Sequence, residues 1–87
     1  MEYEWDPKKN EKIKEEHGIS FDQVVELIGK NFLLDIIVNP SKKYKGQRVF
    51  LIQRGDSVFM VPFERRNKKI RLITAFFSKS LTEKYLR

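Results

Sequence analysis

Residues 47–79 read QRVFLIQRGDSVFMVPFERRNKKIRLITAFFSK, three apolar, β-branched and aromatic runs separated by two charged turns. Arg54-Gly55-Asp56-Ser57 divides the first run from the second, and Arg66-Asn67-Lys68-Lys69 divides the second from the third. Runs of this length bounded by turn residues form antiparallel hairpins. The sequence therefore predicts a meander with strands over 47–53, 57–64 and 70–77. Pro62 lies inside the middle run, and a proline has no N–H to give to a ladder. An edge position or a bulge is expected at that point. A further apolar run over 32–38, stopped by Asn39-Pro40, predicts a fourth strand ahead of the meander. The basic loop over 41–46, with its one aromatic, Tyr44, joins them.

Upstream the signals are helical. Asp6-Pro7 is a helix start, with Asp capping free amides and Pro supplying a preset φ in the first turn. The helix over 8–16 has Ile13 as its only strongly apolar residue, so Trp5 and Ile13 are expected to hold it. Gly18 stops it. Ser20 is the N-cap of a second helix, Gln23 completes a capping box, and Ile19 can staple onto Val24. Phe21, Val24, Val25 and Ile28 follow the i, i+3, i+4, i+7 pattern of one apolar stripe. Gly29 or Asn31 ends this helix. Over 78–87 a short C-terminal helix is expected, capped by Ser78 or Ser80 and docked by Leu81, Tyr85 and Leu86. Helix, helix, four strands and a tail read as α+β, an N-terminal αα-hairpin packed on a four-stranded antiparallel sheet.

At 87 residues the chain is one domain, and 40% hydrophobic residues with 13% aromatics can form a core. Without cysteine there is neither a disulfide framework nor a thiolate metal site. No apolar run approaches the ~20 residues of a membrane span, and the opening is no secretory signal. A cytoplasmic protein is the expectation. The net charge of +6 is unevenly distributed: residues 1–40 hold 5 Lys/Arg and 9 Asp/Glu, whereas residues 41–87 hold 13 Lys/Arg against Asp56, Glu64 and Glu83. Such polarity can steer a polyanion to one side of a small domain. Solvation of turns and of an outer sheet face accounts for it as well.

Several chemistries lack their residues. One histidine, no cysteine and serines outside any nucleophile elbow do not make a Ser-His-Asp triad. The four glycines are isolated, so no phosphate-cradling loop is present. His and Cys density is too low for the usual metal sites, and no cofactor is implied. What remains is a basic and aromatic set: Tyr44, Lys45, Arg48, Arg65, Arg71, Lys79, Lys84 and Tyr85, with Glu64 the one acid among them. In-line attack of a 2′-hydroxyl on RNA needs little more. Arg and Lys oppose charge developing on phosphate, a Glu, Tyr, His or Lys moves protons, and an aromatic ring stacks an unpaired base. Plain turn charge explains most of Arg65, Arg66, Lys68 and Lys69, and Tyr85 has the spacing of a packing residue. His17 has a pKa suited to a general base, but its place before Gly18 suits the negative end of a helix dipole better.

The opening Glu4-Trp5-Asp6-Pro7-Lys8-Lys9-Asn10, followed by His17-Gly18-Ile19-Ser20-Phe21 and Val24-Val25, resembles that of BrnT-type toxins. Ile70-Arg71-Leu72-Ile73-Thr74-Ala75 is similar to that family's last strand, which ends in an I-R-h-I-S-A run (h apolar). Two positions depart from the pattern. Glu16 stands where the family has Lys before His-Gly, and Phe76-Phe77 stands where an Arg follows the final Ala. The tail 78–86 is similar to a P-S-R-K-x-T-K-K-Y-L pattern of a toxin-like relative. The resemblance implies a RelE-like ribonuclease acting without a metal. It also implies the toxin role in a type II toxin–antitoxin pair, with an RNA substrate and a small DNA-binding, ribbon-helix-helix antitoxin through which oligomers form. Arg48, Glu64, Arg71, Lys79 and Tyr85 would then surround the scissile phosphate, while Tyr44, Lys45, Arg65 and Lys84 grip flanking RNA. The competing expectation is a catalytically weak or inactive RNA- or protein-binding module of the same fold.

Overall fold

A computed structural model of the chain describes residues 2–40 and 46–87. Among these residues are six strands and three helices, in the order β1 (Glu2–Glu4), α1 (Pro7–His17), α2 (Phe21–Gly29), β2 (Leu33–Val38), β3 (Arg48–Arg54), β4 (Ser57–Arg66), β5 (Lys69–Leu72), β6 (Phe76–Phe77) and α3 (Lys79–Leu86). Tyr44 and Lys45 lie outside the described residues.

The helix boundaries follow from local chemistry. Asp6 caps α1, its carboxylate accepting from the Lys8 N–H at 2.9 Å, and Pro7 occupies the first turn. Gly18 closes α1 in the left-handed region (φ 66°), and its N–H reaches the Lys14 carbonyl. A side chain there would be strained, which is why the corner is a glycine. Ser20 caps α2 by accepting from the Gln23 N–H at 3.1 Å. The capping box is only half formed, because the Gln23 side-chain oxygen accepts from Arg54 at 3.0 Å. Ser78, not Ser80, caps α3.

The sheet runs β1-β5-β4-β3-β2, with β6 also against β4. The four-stranded antiparallel sheet expected from sequence is thus a mixed one with two additional short strands. Glu2–Glu4 adds a parallel edge beside β5, pairing Tyr3 with Ile70 and Glu4 with Arg71. The single strand expected over 70–77 is broken into β5 and β6. Pro62 explains the break. Its carbonyl accepts from the Ile73 N–H at 2.9 Å, so its missing donor also faces that neighbour. Between the Phe63↔Leu72 and Met60↔Phe76 pairs, β4 has two residues and the facing chain three. The bulge expected in the proline strand is not there: β4 runs on unbroken, and the extra residue lies in the facing chain.

Alternation along β3 and β4 splits the apolar residues between two faces. Phe50, Ile52, Phe59, Val61 and Phe63 meet Ile13, Ile19, Phe21 and Val24 of the helical hairpin, with Ile70, Leu72 and Ala75. Val49, Leu51 and Val58 point the other way and are covered by Leu81, Tyr85 and Leu86 of α3. The hairpin and α3 therefore sandwich the sheet. Two buried polar side chains fasten these layers. Asn10 accepts from the Phe21 N–H at 2.8 Å and donates to Asp22 at 3.2 Å, joining α1 to the start of α2. Thr82 accepts from the Val58 N–H at 2.8 Å and donates to the Ser78 carbonyl at 2.7 Å, joining α3 to β4.

Candidate functional site

The hairpin does not cover the whole of its sheet face. Where α2 ends, a cleft of about 570 Å³ opens, lined by Tyr3, Ile28, Leu33, Ile36, Arg48, Phe50, Phe63, Arg65 and Ile70. Strand register builds it. Tyr3, Ile70 and Arg65 form one row across β1, β5 and β4, and Arg48 lies opposite Phe63 in the next row. Arg48 and Arg65 are thus diagonal neighbours, about 7–8 Å apart at the backbone. The floor is hard and apolar: the Phe50 and Phe63 rings stack with centroids 3.9 Å apart and planes 11° from parallel. Among the described residues neither Arg48 nor Arg65 has an ion-pair or hydrogen-bond partner, although both are exposed. Two free guanidinium groups over an apolar floor suit a ligand that is both flat and anionic. A second concavity, lined by Arg65, Asn67, Lys68, Lys69 and Ile70, shares Arg65 and Ile70 with the first and continues it over the β4–β5 turn.

The other expected residues stand elsewhere. Glu64 and Arg71 face one another across β4 and β5, on the face opposite Arg48 and Arg65. The Glu64 carboxylate is engaged by Arg66, at 3.3 Å from Nε and 3.1 Å from an η nitrogen. Arg71 lines a small hollow with Asp6, Lys9, Leu72 and Ile73. Lys79 opens α3 beside Ser78, whose N–H is held by the Val58 carbonyl. Six residues of β4, roughly 20 Å at the strand rise, separate that point from Glu64. Tyr85 donates to the Asp35 carboxylate on β2 at 3.0 Å, and the Lys84 ammonium stands 5.9 Å from the Tyr85 ring centroid. That hydrogen bond, then lost solvation and the Asp35 charge, push the Tyr85 phenol above its ordinary value. Arg48 with Arg65, Glu64 with Arg71, and Tyr85 with Lys84 are therefore three separate groupings, with Lys79 apart from all of them.

Residues outside that set also take up defined places. Tyr3 enters the cleft because β1 pairs with β5, a long-range pairing that three residues of an N-terminal segment do not announce. Arg54 reads as a turn charge but donates to the Gly18 carbonyl at 2.7 Å and to Gln23 at 3.0 Å, and lies over the Phe59 ring at 4.5 Å. It ties the helical corner to the sheet. His17, exposed in the last turn of α1, is 6.5 Å between ring centroids from Phe76. The His-Gly motif and the position after Ala75 are therefore brought together, and with them Glu16 and Phe76, the two places where the motif pattern is altered.

Among the described residues no helix is long and apolar enough to cross a membrane. No curated protein and no solved structure matches the chain. The family model described as the ribonuclease toxin BrnT of type II toxin–antitoxin systems matches residues 5–76, from Trp5 through α1, α2 and the meander to Phe76. With most of its length matched, the chain belongs to the BrnT family of type II ribonuclease toxins.

Proposed function

We propose that this toxin is an endoribonuclease that cuts RNA, messenger RNA foremost, without a metal ion, in the RelE-like manner. On this reading its antitoxin is a small DNA-binding protein of the ribbon-helix-helix type, and both act in the cytoplasm. The observation that carries the reading is the pair of unpartnered cations, Arg48 and Arg65, over the cleft. In-line cleavage moves a 2′-oxygen onto the adjacent phosphorus and expels the 5′-oxygen, leaving a cyclic phosphate and a 5′-hydroxyl. Negative charge accumulates on the non-bridging oxygens, and a guanidinium group fixed at that point favours it. The 2′-hydroxyl must lose a proton and the leaving oxygen must gain one. Tyr3 brings a hydroxyl to the same cleft, whereas Glu64, Arg71, Lys79 and Tyr85 stand across the sheet from a phosphate held there.

Purified toxin is expected to cut RNA in the presence of a chelator. Arg48→Ala and Arg65→Ala should each lower the rate, by about 100-fold for the arginine at the scissile phosphate, the scale for removing one donor to a developing oxyanion. Arg71→Ala and Lys79→Ala should change it by less than about threefold. Full activity in both cleft variants would move the chemistry away from the cleft, and loss in Arg71→Ala or Lys79→Ala would place it on the other face.

A second reading, a weakened or inactive member that binds RNA or protein without cutting, is favoured by one observation. Of the two altered positions, Glu16 precedes His17 in α1 and Phe76 meets the His17 ring. If cleavage depends on bases there, wild type should bind RNA without cutting it, and a Glu16→Lys, Phe76→Arg double variant should acquire cleavage.

A further inference from the structure

The cleft under Arg48 and Arg65 has a shape that narrows the substrate further. Its walls are aliphatic, from Ile28, Leu33 and Ile36, its floor is the Phe50–Phe63 stack, and Tyr3 closes the end formed by β1. Phosphate alone would gain nothing from such walls, and a purely apolar ligand would leave two guanidinium groups without partners. A nucleotide answers both requirements, but only if its base is free to leave its stack. We infer that the cleft takes one unstacked base of a single-stranded RNA. Tyr3 supplies the aromatic face, Arg48 and Arg65 hold the two phosphates that flank the nucleotide, and the strand continues over Lys68. This rests on the RNA reading above and specifies the form of RNA that the site accepts.

The geometry supports each part. The arginines are diagonal neighbours on one sheet face, a spacing that suits consecutive phosphates of an extended strand. Tyr3 is half-buried, its ring packed against the core beside Ile70, so it is held in place before the base arrives. Lys68, in the adjoining concavity, has no ion-pair partner among the described residues, whereas Lys69 is 3.8 Å from Glu2. A duplex keeps its bases stacked and paired and could touch only the rim. Aromatic stacking of a base is tolerant of sequence because every base has a π-face, so the cleft selects for strandedness before it selects for sequence.

The test uses the full-length toxin and a short oligoribonucleotide in which every 2′-hydroxyl is replaced by fluorine, so that it binds without being cut. It is compared with the same strand annealed to its complement and with copies carrying one abasic nucleotide at each position in turn. The single strand should bind at least about ten-fold tighter than the duplex, and one abasic position should lose about ten-fold. Tyr3→Leu, which keeps apolar volume but has no π-face, should weaken the single strand about ten-fold, while Tyr3→Phe binds as wild type does. Arg48→Gln should lower the slope of log affinity against log salt by about 0.7, the value for one phosphate of a single strand. Equal affinity for single strand and duplex overturns the inference. So does unchanged binding in both Tyr3→Leu and Arg48→Gln at wild-type melting temperature, or no binding to any probe. Binding in the described pattern while ordinary RNA stays intact would overturn the ribonuclease reading alone. Cleavage of RNA that is indifferent to Tyr3→Leu would overturn the base-binding cleft alone.

Discussion

Asn10 is a residue whose amide does the work of two caps. Its oxygen takes the Phe21 N–H, one of the amides that α2 cannot satisfy internally, and its nitrogen reaches Asp22. The bond to Phe21 is buried, so no water would replace it in Asn10→Leu. Leaving that N–H without an acceptor should cost about 1–3 kcal/mol, seen as a lower urea midpoint with an unchanged m-value. Asp22→Asn, at the partly buried end of the pair, should cost less than about 1 kcal/mol. Tyr85 offers a prediction in pH. Its folded-state phenol titrates above the ordinary value of 10.0, chiefly because it donates to Asp35. Whatever stability the bond contributes is therefore fully present below pH 10.0 and is lost as pH rises through the folded-state value. Ultraviolet phenolate titration, with Tyr85→Phe to identify the signal, should show Tyr85 titrating above its ordinary value. Asp35→Asn should move it back toward the ordinary value.

At the scale of elements, α3 depends on Thr82 as much as on its apolar residues. The hydroxyl accepts the Val58 amide and returns its own proton to the Ser78 carbonyl. Thr82→Val keeps the shape and removes both bonds, so the Val58 N–H is left buried and unpaired. We expect a loss of about 1–3 kcal/mol and faster hydrogen exchange at Val58, with both restored by Thr82→Ser. The existence of α3 was legible in Ser78, Leu81 and Tyr85, but the face it covers was not, because a short tail can turn either way. The hairpin caps and the two turns of the meander were legible for the same reason that they form: Asp6, Gly18, Ser20 and Gly55 act on their nearest neighbours. Gly55 sits at φ 62° in a two-residue turn, and Asn67 at φ 57° in the other. Pro62 signalled an interruption, yet whether the proline strand or its partner would break depends on which neighbour its absent N–H faces. That is a property of register and not of the residue. Site residues divide in the same way. Arg48 and Arg65 belong to the basic set legible in the second half of the chain, whereas Tyr3 joins them only through the parallel β1–β5 pairing. Glu64 and Arg65 are sequence neighbours, and alternation sends them to opposite faces.

For the molecule as a whole, the contrast between an acidic first half and a basic second half does not become a contrast between two sides. β1 carries Glu2 and Glu4 from the acidic half to the outside of β5, so both line a concavity with Arg66, Asn67, Lys68 and Lys69. Glu2 lies 3.8 Å from Lys69, and Glu64 at the end of β4 pairs with Arg66. The basic turn is therefore partly neutralised, while Arg48 and Arg65 next to it are not. Carboxylates so placed repel a polyanion and restrict where it settles, favouring the cleft over the turn. Removing them should raise RNA affinity and lower its selectivity. In Glu2→Gln, Glu4→Gln, affinity for single-stranded RNA should rise several-fold at low salt, and the gain should shrink as ionic strength shortens the reach of surface charge. Affinity for duplex should rise by a larger factor, because the turn becomes an unspecific phosphate contact while the cleft stays closed to a stacked base. Equal gains for the two forms would mean that the acidic edge tunes overall attraction only, and a loss of affinity would mean that Glu2 holds Lys69 in a productive position.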